Sequence, residues 1–180
     1  MAIRYLIVNG DTAKPIPKRM AELSTHTLEL TDEQIKKSGS PDAWKVVDGQ
    51  PVLKTDEERQ VDDVNNQKKQ AKKDAASLYK ELRKTFYIVE GETYEFDIEA
   101  LLLFDSQVKN KESDIKVKEK GKKINKTSKV KSIDIMTKVS AYLESISEAY
   151  NADFDDIETG DLSLTNLKSI ESDQEALKAD

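Results

Sequence analysis

Few side chains in this sequence could support catalysis or metal binding. Histidine occurs once, at His26, and there is no cysteine, so a Cys–His nucleophile, a thiolate metal site and a disulfide are all excluded. Serine and threonine are plentiful, but neither a nucleophile-elbow motif nor a glycine-rich phosphate loop occurs. We therefore predict a protein that is not an enzyme and that uses no cofactor.

An acidic run at 151–161 suggests a set of metal ligands. Calcium takes several oxygen ligands on a tightly turned loop, and the EF-hand spacing needs glycine after the third ligand and glutamate at the twelfth position. Counted from Asn151, this run has Asp156 and Leu162 at those two positions. We interpret the run as a solvated acidic helix end and predict no metal site.

A basic segment precedes the acidic one. Residues 109–131 hold ten lysines and three acids, whereas residues 144–180 hold eleven acids and two lysines, within a chain of net charge −6. Clustered lysine binds phosphate through counterion release. The basic segment, however, has no arginine to contact base edges and no aromatic residue to stack on bases. This disfavours nucleic-acid binding and favours contact between the two segments, within one chain or between chains.

The composition indicates small cores. Hydrophobic residues make up 37% of the 180 residues and charged residues 36%, against averages of about 45–50% and about 25%. We expect local cores, exposed helices and contacts with other chains. No apolar run approaches the roughly 20 residues of a membrane span, and no signal peptide opens the sequence, so we expect synthesis in the cytoplasm and no membrane contact.

Residues 1–54 are predicted to form a β-rich module. Strands are expected at 3–8 and 26–30, with a short helix over 32–37. The hairpin at 43–54 turns at Asp48-Gly49, a dipeptide typical of two-residue hairpin turns.

Residues 55–84 are predicted to form a linker helix with a coiled-coil seam. Thr55 and Glu58 have capping-box spacing, and no glycine or proline follows before residue 84. The apolar residues of this segment, together with the polar Lys68, recur in alternating steps of three and four residues. This is the heptad spacing of a self-associating helix. The predicted partner-binding residues on this seam are Val61, Val64, Ala71, Ala75, Leu78 and Leu82. The alternative is an amphipathic helix that lies on its own domain.

Residues 85–171 are predicted to form a C-terminal α+β module, followed by a flexible tail at 172–180. We expect a hairpin at 86–96, a helix capped by Asp97, two strands, and further helices that begin near residues 132 and 163. In the Asp97 helix, the residues predicted to face inward are Ile98, Leu101, Leu102 and Val108. The two strands are expected at 115–118 and 128–131. The fold class predicted for the whole chain is α+β.

Two segments resemble small bacteriophage tail and tail-fibre-associated proteins. The first is Ala-Trp-Lys-Val-Val-Asp-Gly-Gln-Pro-Val at 43–52, which is followed by a charged helix. The second is Phe-Tyr-Ile-Val-Glu-Gly-Glu-Thr-Tyr-Glu-Phe-Asp at 86–97, similar to the opening of a C-terminal domain of unassigned function in such proteins. Residues 132–167 are similar to the closing helices of that domain, whereas the lysine-rich stretch departs from the family pattern. The resemblance implies a structural virion protein and brings no catalytic residues.

The functional prediction is an oligomeric adaptor that connects or spaces the fibres of a phage tail. Its partners would be further copies of itself, as a dimer or trimer, and other tail or fibre proteins. Trp44 is a candidate anchor residue, since tryptophan is enriched at interface hot spots, and its alternative role is in the core of its own hairpin. Two other functions remain open: a fibre-assembly chaperone absent from the particle, and a nucleic-acid binder acting through residues 109–131.

Overall fold

The chain is an α+β protein in which helices alternate with small antiparallel sheets. The computed structural model describes residues 5–9, 12–16, 27–29, 31, 43–48, 50–111, 113–122 and 124–179. Two compact units make up the chain, Met1–Asn65 and Asn66–Asp180. Their boundary falls inside a helix, and not at residue 54 or 84, where the sequence predicts module boundaries.

The first unit contains an antiparallel sheet with strand order β3-β1-β2-β4-β5. Its strands are β1 Tyr5–Asn9, β2 Thr12–Ile16, β3 Thr27–Glu29, β4 Trp44–Val47 and β5 Gln50–Leu53. The hairpin of β4 and β5 pairs Val47 with Gln50 across its turn, where Asp48 has a φ of 49°. That left-handed conformation suits a two-residue hairpin turn. The helix predicted at 32–37 and His26 lie outside the described residues.

A helix, α1 Asp56–Lys84, follows β5 and begins at the predicted capping box. The Thr55 hydroxyl oxygen accepts a hydrogen bond from the Glu58 N–H at 3.2 Å, and the Glu58 carboxylate accepts one from the Thr55 N–H at 2.9 Å. This reciprocal pair satisfies two N–H groups that the first helical turn leaves without partners.

The second unit joins the later part of α1 to two hairpins and three further helices. In chain order these are β6 Thr85–Glu90, β7 Glu92–Asp97, α2 Ile98–Asn110, β8 Ile115–Lys118, β9 Ile124–Thr127, α3 Lys129–Thr159 and α4 Thr165–Ala179. The Asp97 side chain caps α2 by accepting a hydrogen bond from the Ala100 N–H at 2.7 Å. Gly160 ends α3 with a φ of 111°, a left-handed conformation that favours glycine.

Two hydrophobic cores stabilise the second unit. The first packs both hairpins against α2 and the start of α3, and its buried residues are Phe86, Ile88, Tyr94, Phe96, Phe104, Ile115, Val117, Ile135 and Val139. The second packs α1, α3 and α4 together, and its buried residues are Ala71, Ala75, Leu82, Ile146, Ala149, Ile157, Leu164 and Leu167. Tyr142 and Leu143 contact both cores, so α3 connects them.

The boundary between β9 and α3 corrects the sequence prediction. A strand was expected at 128–131, but β9 ends at Thr127 and α3 already begins at Lys129. The reason is Ser128, whose hydroxyl oxygen accepts a hydrogen bond from the Lys131 N–H at 3.3 Å and so caps the helix. At its other end α3 continues through residues 153–159, within the acidic run that the sequence analysis interprets as a helix end.

The C-terminal segment also differs from the prediction, because residues 172–179 are helical and not a tail. The Gln174 side chain makes two hydrogen bonds to the main chain of β6. Its oxygen accepts from the Tyr87 N–H at 2.7 Å, and its amide donates to the Tyr87 carbonyl at 3.2 Å. Lys120 adds a hydrogen bond to the Leu177 carbonyl at 2.7 Å. These contacts attach the second half of α4 to the hairpins.

Candidate interaction surface

The second half of the predicted seam on α1 belongs to the chain's own core. Ala71, Ala75 and Leu82 are buried against α3 and α4, and Leu78 packs on the same cluster. Side chains covered by their own chain cannot also bind a second one. The structure therefore places Ala71, Ala75 and Leu82 in an intramolecular core and not at the predicted interface, and the packing is that of an amphipathic helix lying on its own domain. Leu78 is only partly buried, and its interface role stays a prediction.

Lys68, the polar member of the seam, also has a partner within the chain. Its ammonium donates a hydrogen bond to the Glu158 carbonyl at 2.7 Å, in the last turn of α3, where the helix dipole favours a cation. One turn later Lys72 pairs with the Glu158 carboxylate and lies 4.4 Å from the centre of the Phe154 ring. The hydrogen bond from Lys72 lowers the pKa of Glu158 below its ordinary value.

Val61 and Val64, the first two seam residues, remain exposed, at 59% and 50%. One turn before Val61 in α1, Glu58 forms an ion pair with Lys45 of the first unit. The hydrogen bond from Lys45 lowers the pKa of Glu58 below its ordinary value. A second ion pair joins Lys54 to Asp62 at 2.5 Å. The interface role predicted for the two valines is thus compatible with their exposure.

Trp44 is a buried residue and not an exposed anchor. Its side chain is 4% exposed in β4, so the alternative role in the hairpin core fits its position. Its indole Nε1 is buried without a hydrogen-bond partner in the part of the chain that the structure describes. This corrects the prediction that Trp44 could anchor a partner.

Much of the lysine charge at 109–131 is engaged within the second unit. Ion pairs join Lys118 to Glu95 at 2.8 Å, Lys122 to Glu119 at 3.0 Å and Lys126 to Asp114 at 3.4 Å. Other lysines of the segment bind carbonyls or aromatic rings: Lys120 binds Leu177, Lys129 binds Val108 and Lys111, and Lys131 lies 5.6 Å from the ring centre of Tyr94. A phosphate would have to compete with these partners.

The acidic run at 151–161 contains a buried carboxylate that the sequence analysis did not single out. Asp153 is 1% exposed. Its Oδ1 accepts hydrogen bonds from the backbone and side-chain N–H groups of Asn166 at 3.0 and 2.9 Å, and its Oδ2 accepts one from the Leu167 N–H at 2.9 Å. Asp153 therefore caps α4 from α3 and does not offer its oxygens to a cation. Elsewhere among the described residues, no group of acids and histidines has the arrangement of a metal site.

An exposed apolar surface on α2 is the feature that the sequence analysis missed. Ile98 and Leu102, which the sequence predicts to face inward, are 59% and 66% exposed, and Leu103 is 58% exposed. Phe104 and Gln107 occupy the buried side of the helix instead. We call the exposed set Ile98, Leu102 and Leu103 the α2 outer face. The apolar run 100–104 was a signal for it, because consecutive apolar residues must point to all sides of a helix.

A groove between α2 and α3 adds to the exposed apolar surface of this unit. It is lined by Val108, Ile133, Met136, Thr137, Ser140, Ala141 and Glu144. Of these, Ile133 is 48% exposed, and Val130, one turn before it on α3, is 71% exposed. Large exposed apolar areas on soluble domains mark sites of protein–protein contact, so this side of the second unit is the candidate interaction surface.

Comparison with protein-family models, curated proteins and solved structures found no match to this chain. Among the described residues, no helix has the length and apolar character needed to cross a bilayer.

Proposed function

We propose that this protein is a structural adaptor that joins protein chains to one another, in the setting of a bacteriophage tail. The observation that supports the adaptor role is the α2 outer face, where three large apolar side chains remain exposed on a helix whose opposite side holds the buried residues Phe104 and Gln107. Exposed apolar surface has a cost in water, and burial against another chain removes that cost.

The narrower setting, the phage tail, depends on the resemblance of 43–52 and 86–97 to tail and tail-fibre-associated proteins. In the structure these segments form the β4–β5 hairpin and the β6–β7 hairpin, one in each compact unit. An adaptor with two such units could bind a different partner through each of them. Exposed Val61 and Val64 would serve as a contact on the first unit.

The proposal is tested by mass spectrometry of phage particles purified from cells that produce this chain. A structural adaptor is recovered at a fixed ratio to the tail proteins, and the ratio survives a high-salt wash. Absence from mature particles, with presence in assembly intermediates, would instead support the fibre-assembly chaperone.

The nucleic-acid alternative has less support. The lysines at 118, 122 and 126 are paired with acids of the same unit, and the chain as a whole carries a net charge of −6, which opposes long-range attraction of a polyanion. Gel-shift titration at low salt tests this function directly. A shift that weakens steeply with added salt would favour it over the adaptor role.

A further inference from the structure

The helix α2 is apolar on both of its sides, but the chain covers only one of them. Phe104 and Gln107 are buried towards the first core, while Leu102 points in the opposite direction, two residues before Phe104 in the helix. Exposed polar residues, Glu99, Ser106 and Lys109, flank Leu102 on this side, as polar residues flank the apolar centre of an interface. The second unit therefore leaves the apolar residues of the α2 outer face uncovered.

The end of α2 is held firmly against the start of α3. The Lys129 ammonium donates hydrogen bonds to the Lys111 carbonyl at 3.0 Å and to the Val108 carbonyl. These are orphan carbonyls at the C-terminus of α2, where a cation is favoured. Because both helices also pack on one core, the outer face and the adjoining groove form a preorganised surface that a partner can bind without reordering it.

The charges on α2 are complementary to those of a second copy of the chain. Glu99 is exposed near the start of the helix, and Lys109 is exposed near its end. The ten-residue separation corresponds to about 15 Å along the axis. When two α2 helices pair antiparallel, each Glu99 lies opposite the Lys109 of the other copy, whereas parallel pairing places like charges together. Lys109 now contacts Asp105 at 2.6 Å in an exposed i,i+4 pair, which is weak enough to be shared.

We propose that the α2 outer face binds the same face of a second copy, as a two-fold dimer with antiparallel α2 helices. The two-fold axis makes the interface self-complementary, so Leu102 packs near Leu102 of the other copy. This inference depends on the proposed adaptor function and gives it a self-association site distinct from the seam on α1. Three side chains cover less than the roughly 800 Å² per partner of a standard interface, so the groove beside Ile133 must contribute as well and the affinity is modest.

The first test is sedimentation velocity of the full chain from about 1 to about 100 μM, a range that covers micromolar dissociation constants. We expect the wild-type chain to pass from monomer to dimer with increasing concentration. Leu102→Asp should stay monomeric because it buries the unpaired like charges of the two copies close to the two-fold axis. Ile124→Asp is the matched control, because Ile124 of β9 is 63% exposed against 66% for Leu102, and this variant should dimerise like the wild type. Circular dichroism and thermal melting establish that both variants are folded.

The second test reads out the orientation by charge exchange. Glu99→Lys and Lys109→Glu each place like charges opposite one another, so each variant alone should dimerise at least several-fold more weakly. An equimolar mixture of the two restores both opposite-charge pairs and should recover dimerisation. A parallel pair already holds like charges together in the wild type, so neither single variant would weaken it.

Three outcomes would overturn the inference: a wild-type chain that stays monomeric throughout the range, a dimer that survives Leu102→Asp, or a trimer. A variant that stays monomeric but still enters phage particles at the wild-type ratio would contradict the dimer while leaving the adaptor function intact. Absence of both wild type and variant from particles would contradict the adaptor function instead.

Discussion

The buried carboxylate of Asp153 takes the place of a missing helix cap. Leu164 stands immediately before α4 with a φ of 53° and has no side-chain acceptor, although its carbonyl accepts the first helical hydrogen bond from the Lys168 N–H at 3.1 Å. Asp153 reaches across from α3 and accepts from Asn166 and Leu167, at the second and third positions of the helix. The leucine is thereby free to place its side chain in the second core.

Replacement of Asp153 by alanine should therefore cost about 3 kcal/mol of unfolding free energy, because it leaves several buried N–H donors without acceptors. Urea denaturation measures the loss. Asp155→Ala, which changes an exposed acid two residues later in the same helix, is the control and should stay within about 0.5 kcal/mol of the wild type. Equal effects of the two substitutions would mean that Asp153 acts only through the general charge of the run.

Tyr142 should make the protein sensitive to alkali. Its hydroxyl donates a hydrogen bond to the Leu82 carbonyl at 3.0 Å, and burial raises the pKa of the phenol above its ordinary value. A raised pKa in the folded state means that this contribution to stability is complete below about pH 10, the pKa of an unfolded tyrosine, and is lost as the pH rises above it.

The matching variant is Tyr142→Phe. At pH 8 it should lose about 1 kcal/mol, the net worth of one hydrogen bond. Between pH 8 and pH 10.5, pH values that lie on either side of the unfolded pKa, it should lose less stability than the wild type in urea denaturation. Parallel losses in the two proteins would show that ionisation of Tyr142 does not contribute.

At the residue scale, sequence reasoning found the caps whose two members are neighbours. Thr55 with Glu58 and Asp97 with Ala100 are three residues apart, so spacing alone reveals them. Asp153 and Asn166 are thirteen residues apart and meet only after the chain turns at Gly160. The same holds for Lys68, which reaches Glu158 ninety residues away. Such partners depend on tertiary packing and leave no local signal.

At the scale of elements, α2 shows where periodicity fails. Five consecutive apolar residues at 100–104 fit a buried stripe on any side of the helix, so the sequence does not fix which side faces inward. The side is chosen by packing: Phe104 stacks near Phe96, with ring centres 5.4 Å apart, and the Gln107 side chain accepts a hydrogen bond from the Lys116 N–H of β8 at 2.9 Å. Where polar residues interrupt the pattern, as around Ile135 and Val139 in α3, the helical spacing marks one apolar side, and both residues are buried.

The end of α3 offers a clean test of backbone conformation. Gly160 has a φ of 111°, and a Cβ built on it would meet no atom of the described residues within 4 Å, its two chain neighbours aside. Gly160→Ala should therefore lose about 1–2 kcal/mol from left-handed strain alone, without a steric clash. Asparagine tolerates this region better, so Gly160→Asn should lose less. Thermal denaturation ranks the three proteins, and an alanine variant as stable as the wild type would contradict the assignment of Gly160 as the helix C-cap.

At the scale of the whole molecule, the division within α1 predicts which fragment can fold. Both hydrophobic cores lie between residues 71 and 167. A fragment of residues 66–180 should therefore melt cooperatively, whereas one of residues 85–180 lacks Ala71, Ala75 and Leu82 and should not. Differential scanning calorimetry distinguishes them. If 85–180 melts as sharply as 66–180, the later part of α1 is a linker, as the sequence suggests, and not part of the core.

The predicted charge segregation has a more local outcome than expected. Within the described residues, the ion pairs of the basic segment join Asp105 of α2 and four acids in or beside the hairpins, Glu92, Glu95, Asp114 and Glu119, and not the acidic residues beyond 144. Hairpin register decides this, because β7 and β8 bring Glu95 and Lys118 side by side. The net charge of a sequence segment does not predict ion pairs between residues that are brought together only by strand pairing.

The hydrogen bonds between Gln174 and Tyr87 make the Tyr87 backbone amide a reporter of whether the C-terminal helix α4 stays attached. In most sheets a strand amide is protected by its neighbour strand, but here the Tyr87 N–H is protected by a side chain of α4. Its deuterium exchange should therefore follow the detachment of α4, while the Ile88 amide follows the opening of the hairpin. A single NMR resonance would then show whether a partner displaces the C-terminal helix or leaves it in position.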